Sequence, residues 1–266
     1  MLKKISTLIF TAFIIFSINT VSALAADFTI NKSNAENGMI AIEGIPGEKT
    51  IAVKITKDKQ FYTYFLSTTN KNVFPLQMGN GKYTIQVLEN TVGTKYRILL
   101  NEEITVNNIT DENLYTNAIQ LIDFNKDMAS IKAMNTLTSA DAKKEDKLKV
   151  FYNHILDNIS YDYEKAKNIS NTANYLPVID TIYKNKKGIC YDYSSLFAAI
   201  LRHHNIPTRL QMGYTKAIPE YHAWNEVLLD GKWYKIDTTY DAQAKAAKAS
   251  FTMQKPDDIF SVVKQY

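Results

Sequence analysis

The 266-residue chain contains a single cysteine, Cys190. An internal disulfide is therefore impossible, and the thiol is a small buried hydrophobe, an intermolecular link or a reactive group. Histidine is scarce, with four residues. No His-Glu-x-x-His, Cys-x-x-Cys or calcium-loop pattern occurs, so no metal and no other cofactor is expected. Arginine is scarce too, which argues against dedicated phosphate recognition. Past the N-terminal segment no apolar run approaches the roughly 20 residues a membrane-spanning helix needs. The formal net charge of +4 is small, and no nucleic-acid partner is expected. The lysine clusters at 184–187 and 245–248 read as solvated faces.

What is present begins with a leader. Lys3 and Lys4 precede an apolar run from Leu8 to Ile18, and Ala23-Leu24-Ala25 supplies a small-x-small cleavage pattern. Residues 1–25 therefore read as a signal peptide, with an N-terminal membrane anchor as the alternative. The mature protein is expected to be secreted, extracellular or at the cell surface, without stable membrane insertion. Losing Lys3 and Lys4 leaves 29 basic against 27 acidic residues.

Residues 26–108 read as a small all-β domain. Met39 to Ile42, Ile51 to Ile55 and Phe61 to Leu66 are β-rich runs separated by Gly/Pro turns. Asn80-Gly81 is a hairpin signal. It feeds Tyr83, Ile85 and Val87, which alternate with Thr84 and Gln86 as a half-buried strand should. About seven short strands suggest an immunoglobulin-like sandwich. Near residue 109 the pattern turns helical and a second domain, 109–266, begins. Thr110 or Asp111 can cap a helix carrying Leu114, Ala118, Leu121 and Ile122. Leu148, Phe151, Tyr152, Ile155, Leu156 and Ile159 form a core-facing stripe of helical period.

The chemistry gathers in the second domain. Cys190 stands at the start of a helix of about fourteen residues, with Leu196, Phe197, Ile200 and Leu201 on one face. Asn205 is a left-handed C-cap and Pro207 forbids continuation. The helix start favours a thiolate and offers N–H groups to a developing oxyanion. Gly188 would let a substrate backbone approach closely. Asp230-Gly231 marks a two-residue hairpin whose register pairs Leu228 with Trp233, Glu226 with Lys235 and Trp224 with Asp237. The same register sets His222 and Asp237 on one sheet face as diagonal neighbours, within side-chain reach. A thiol, an imidazole and a carboxylate in that relation can run nucleophilic acyl transfer. The alternatives are a structural histidine and an aspartate that merely ends a strand. His203 and His204 read as complements to the C-terminal end of the Cys190 helix, and His154 as a helix-surface residue.

Several stretches resemble the transglutaminase-like superfamily of thiol enzymes. They are Lys187-Gly188-Ile189-Cys190-Tyr191-Asp192-Tyr193-Ser194, Asn205-Ile206-Pro207-Thr208-Arg209, Met212-Gly213-Tyr214, His222-Ala223-Trp224-Asn225-Glu226-Val227, and Gly231 through Thr239. The resemblance covers roughly residues 145–240. It implies an α+β, papain-like core, with the cysteine's helix packed on an antiparallel sheet and the β domain preceding it. It implies Cys190 as nucleophile, His222 as base and acid, and Asp237 as orienter. Tyr161 matches an aromatic position that commonly precedes the cysteine; its hydroxyl would complete the oxyanion hole, or it is a core aromatic. The calcium sites of animal cross-linking members have no recognisable counterpart. The expected activity is a cysteine peptidase or amidohydrolase acting on peptide or protein substrates, cell-surface or cell-wall material among them. The alternatives are a cross-linking transamidase and a non-catalytic cell-surface binding protein.

Overall fold

A computed structural model describes residues 28–68, 71–169 and 175–266. The leader read over 1–25 lies outside these residues. Seven strands occupy the N-terminal region: β1 (Thr29–Asn31), β2 (Met39–Glu43), β3 (Ile51–Lys57), β4 (Gln60–Phe65), β5 (Val73–Pro75), β6 (Gly81–Val92) and β7 (Lys95–Val106). The strand order β4-β3-β6-β7 makes a four-stranded sheet. In β6 the alternation is realised, with Tyr83, Ile85 and Val87 buried and Thr84 and Gln86 partly exposed. Antiparallel register sets Val53 opposite Val87 and Ile55 opposite Ile85. Such cross-strand apolar pairs each contribute about 0.2–1 kcal/mol.

The chain divides into two compact units, and the division is not a single cut near residue 109. One unit takes the four-stranded sheet; the other takes Val106–Tyr266 together with Asn31–Ala41 and the described part of Thr69–Asn80. Main-chain hydrogen bonding is the reason. Ala41 pairs with Val73, and Gln120 N donates to Val73 O at 2.9 Å. Asn108 N donates to the Glu36 carboxylate at 3.2 Å, and Ile109 N to Asn80 Oδ1 at 2.8 Å.

In the second unit, α1 (Asp111–Leu114) is capped by Thr110, whose Oγ1 accepts from Asn113 N. The helix lasts one turn and does not reach Ala118 or Ile122. The Gln120–Val73 bond and an Ile119–Ile122 bridge take those backbone groups out of helical pairing. Next come α2 (Ala129–Asn135), α3 (Lys144–Asn158), β8 (Ser160–Tyr161), α4 (Tyr163–Asn168), α5 (Ile179–Asn185) and β9 (Lys187–Gly188). The chain ends with α6 (Cys190–His203), β10 (Thr208–Thr215), β11 (His222–Leu229), β12 (Lys232–Ile236), α7 (Thr238–Ala246) and β13 (Phe260–Gln265). The expected stripe on α3 is buried throughout.

The sheet order is β12-β11-β10-β13, antiparallel throughout. Every residue of β11 is buried. Asn225 ties the helix to the sheet, its Nδ2 donating to Ser194 O of α6 at 3.0 Å and to Arg209 O of β10 at 3.2 Å. The fold is thus α+β, with the cysteine-bearing helix on an antiparallel sheet. At the end of α6, Asn205 is left-handed with φ 55°, and Ile206 N reaches back to Leu201 O at 3.0 Å. The two histidines there do not act as helix-end cations. Burial holds the pKa of His203 down and, with the charges of His203 and Lys147, takes His204 to about 4. His204 packs on Phe151 instead, ring centroids 4.6 Å apart.

Candidate active site

The hairpin that carries the imidazole is set by its turn. Asp230 and Gly231 both adopt positive φ, 49° and 75°, which a two-residue turn matched to strand twist requires. Register follows: Leu228 pairs with Trp233, Glu226 with Lys235 and Asn225 with Ile236. Beyond Ile236 the chain leaves the ladder, so the expected pairing of Trp224 with Asp237 does not form; Asp237 becomes the N-cap of α7, accepting from Tyr240 N through Oδ1 at 2.9 Å. Its other oxygen, Oδ2, bonds His222 Nε2 at 2.8 Å. Both side chains are only 4% exposed. Asp237 therefore ends a strand, caps a helix and holds the histidine.

Cys190 is the first residue of α6 and is half-buried. A helix leaves its first-turn N–H groups without internal partners, so they converge beside the thiol. Cys190 also neighbours His222. Burial disfavours the imidazolium, but the charge of Asp237, its hydrogen bond and the contact with Cys190 outweigh that and push the His222 pKa up to about 10. With Nε2 engaged by Asp237, Nδ1 is the ring nitrogen left for the sulfur. At neutral pH the sulfur thus faces a cation.

Tyr161 is brought to the same place. It pairs with Gly188 across the short parallel β8–β9 ladder. Burial, followed by the charge of Cys190, pushes its phenol up to about 12, so it remains a protonated donor at neutral pH. At Gly188 a Cβ would lie 2.6 Å from Asp192 Cβ. The bare α-carbon makes room for Asp192.

Asp192 is the residue the sequence reading missed. Its side chain is fully buried, and Oδ2 accepts from Ile189 N at 2.9 Å and from Lys165 Nζ at 2.5 Å. The Tyr175 hydroxyl donates to Oδ1, and Lys165 Nζ sits 4.3 Å over the Tyr175 ring. Ile189 offers no side-chain oxygen, so only the aspartate half of a capping box forms. That missing Ser or Thr hides the signal; an acidic residue three places after a helix start was the available clue. The network pins the segment after β8 to the turn that carries Cys190. Trp224 sits beside His222, its ring 21° from parallel at 6.4 Å, and donates from Nε1 to Gln211 Oε1 at 2.8 Å. His154 is half-buried against Tyr183, with a pKa lowered mainly by burial. Among the described residues no cluster of three or more His, Cys, Asp or Glu could hold a metal ion. None of their helices is long and apolar enough to cross a membrane.

A half-buried thiol at a helix start, on an antiparallel sheet, beside a carboxylate-bound imidazole, is the arrangement of a thiol-enzyme core. Residues 131–238 match the model of the transglutaminase-like superfamily. A UPF0252 protein of Methanocaldococcus jannaschii is 35% identical over 92 residues, a match spanning 31% of this chain and 26% of that protein. Among solved structures, a TGase is similar at 19% identity and TM-score 0.35, over 48% of this chain and 32% of that one. A candidate cysteine protease from Cytophaga hutchinsonii is similar at 16% identity and TM-score 0.37, over 82% and 84%. The periplasmic domain of TgpA from Pseudomonas aeruginosa is similar at 12% identity and TM-score 0.38, over 86% and 100%.

Proposed function

We propose that the protein is an exported cysteine-dependent hydrolase that forms an acyl-thioester on Cys190 from peptide or protein amides. The carrying observation is the buried His222–Asp237 pair, which keeps an imidazolium beside Cys190 at neutral pH. In the first step the thiolate attacks the amide carbonyl carbon and forms the C–S bond. First-turn N–H groups of α6 and the Tyr161 hydroxyl are the donors available to the developing oxyanion. The C–N bond then breaks as His222 gives its proton to the leaving amine. In the second step the neutral imidazole takes a proton from water, whose oxygen attacks the thioester; the C–S bond breaks and the carboxylate leaves. Asp237 holds the ring in one orientation throughout. The extracellular placement rests on the pattern of the first 25 residues.

The decisive experiment loads the protein with p-nitrophenyl acetate and looks for an acetyl group on Cys190 by mass spectrometry. An adduct that vanishes in Cys190→Ala and is lost in His222→Ala supports the reading. No adduct on folded wild-type protein sinks it and favours a binding role for the scaffold. A fluorescent primary amine added beside a protein substrate then separates the acceptors: its incorporation identifies a transamidase, and its exclusion a hydrolase.

A further inference from the structure

Four residues after Asp237, the first turn of α7 buries a second carboxylate, Asp241. Carboxylates four apart at a helix start repel one another, and burial strengthens the repulsion. Asp241 is nevertheless held by two donors. The Tyr152 hydroxyl of α3 donates to its Oδ2 at 2.7 Å, and Lys255 Nζ donates to its Oδ1. Lys255 is itself only 8% exposed, and its Nζ also donates to Thr252 O. No step of the proposed reaction uses these three groups.

The main chain of Lys255 is fastened on the other side of Asp237. Lys255 N donates to Lys235 O at 2.9 Å, and Gln254 bridges to Ile236, the last residue of β12. Asp241 N in turn donates to Asp237 O at 3.1 Å. Asp237 is therefore gripped from both sides by one residue. The backbone of Lys255 holds the strand end before it, and the side chain holds the helix turn after it. Asp237, Tyr240 and Lys255 also line one small cavity of about 220 Å³. Burying such charges is costly, and apolar residues of similar volume often serve stability as well. Apolar packing would fill the space without gripping both sides of Asp237.

We infer that Lys255, acting through Asp241, is a positioning residue: it fixes the turn that carries Asp237 and so aims that carboxylate at His222. The inference rests on the reading of Cys190, His222 and Asp237 as an acyl-transfer group, and it names what holds the third member. Asp237 must keep Oδ1 on Tyr240 N while Oδ2 stays 2.8 Å from His222 Nε2. A small rotation of the turn lengthens and weakens the second bond. The titratable groups that face the pair are Cys190 of α6, Tyr152 of α3, Tyr240 and Asp241 of α7, and Lys255.

The test follows the His222 ring by NMR as pH is raised, in the full chain carrying Cys190→Ala, so that no thiol titrates beside it. His222→Ala assigns the resonance among the four histidines. Adding Lys255→Met is expected to weaken proton binding at His222 about tenfold, a midpoint lower by about one pH unit, because a loosened Asp237 stabilises the imidazolium less. Lys255→Met combined with Asp241→Asn removes both buried charges and should keep the lowered midpoint. Circular dichroism reports the fold of each variant. An unchanged or raised midpoint in folded Lys255→Met protein overturns the inference. So does a midpoint restored in the double variant, which would show a field acting and not a position. Should neither fold, Tyr152→Phe, which changes no charge, takes their place: a midpoint lowered about threefold in proton affinity supports the inference, and an unmoved one overturns it. With Cys190 restored, the p-nitrophenyl acetate adduct reads the reaction separately. Its absence from wild type, with the midpoint lowered by Lys255→Met, condemns the proposed reaction and leaves the positioning intact. Its presence with an unmoved midpoint condemns the positioning.

Discussion

At its first turn α6 buries a carboxylate, Asp192, and at its last turn a guanidinium, Arg202. Asp192 is held largely by side chains from elsewhere in the sequence, Lys165 and Tyr175, with one backbone donor, Ile189 N. Arg202 makes its hydrogen bonds to main chain, donating to Thr208 O at 2.9 Å, Asn117 O at 2.9 Å and Tyr266 O at 3.1 Å, with the Tyr115 ring 5.9 Å from its guanidinium. The contrast separates two jobs. A charge anchored on carbonyls fixes the helix whatever side chains surround it. A charge anchored on side chains couples the turn that carries Cys190 to the segment after β8. One end is for stability, and the other joins stability to reactivity.

Substitutions can break that contrast, beginning with the anchor. Arg202→Met removes a donor from Thr208 O, Asn117 O and Tyr266 O, the last of which keeps Leu210 N, and is expected to cost about 3–5 kcal/mol in denaturant unfolding. Below its lowered melting temperature the iodoacetamide rate at Cys190 should stay near wild type; a large change would mean the ends are not separable. Gly188→Ala, at the other end, forces a Cβ against Asp192 and should cost about 1–3 kcal/mol, with slower labelling of Cys190. Asp192→Asn keeps the shape but removes the charge. Lys165 is 28% exposed, so water offsets part of the loss and about 1–2 kcal/mol is expected. Labelling of Cys190 should fall as well, and an unchanged rate would confine Asp192 to a structural role.

The last comparison is of pH dependence, in which the two ends should respond in opposite directions. His222, near the first turn, has a folded pKa raised to about 10 from its ordinary value of 6.5. Its stabilisation is complete below about pH 6.5 and lost as pH rises toward 10. His204, at the last turn, has a folded pKa lowered to about 4 from 6.5. Its contribution is present above pH 6.5 and lost as pH falls through 4. Asp237→Asn should therefore flatten the alkaline limb of a stability–pH curve, and His204→Phe the acid limb. The same limb flattened by both variants would contradict the assignment.

Much of the fold was legible because it is locally encoded. The α3 stripe from Leu148 to Ile159 repeats at helical period, and Tyr83, Ile85 and Val87 alternate as a strand does. The helix expected through Ile122 failed after Leu114 because Gln120 pairs with a strand that comes some fifty residues earlier, and periodicity carries no sign of that. His203 and His204 were misjudged for a similar reason. Position at a helix end suggests cations, and only burial shows them neutral.

The sequence by itself determined the hairpin that carries His222: Asp230-Gly231 marks a tight turn, and the turn sets the register as far as Ile236. Asp237 leaves the ladder there, and its place as N-cap of α7 holds it against His222. The sequence also determined that Cys190 begins a helix, since the apolar face and the Asn205-Ile206-Pro207 stop bound its length. Tertiary structure decided the rest. It brought the start of α6 to the imidazole and filled the space above Gly188 with Asp192. Those outcomes depend on partners joined by loops without periodic pattern, where local preference fixes neither direction nor distance.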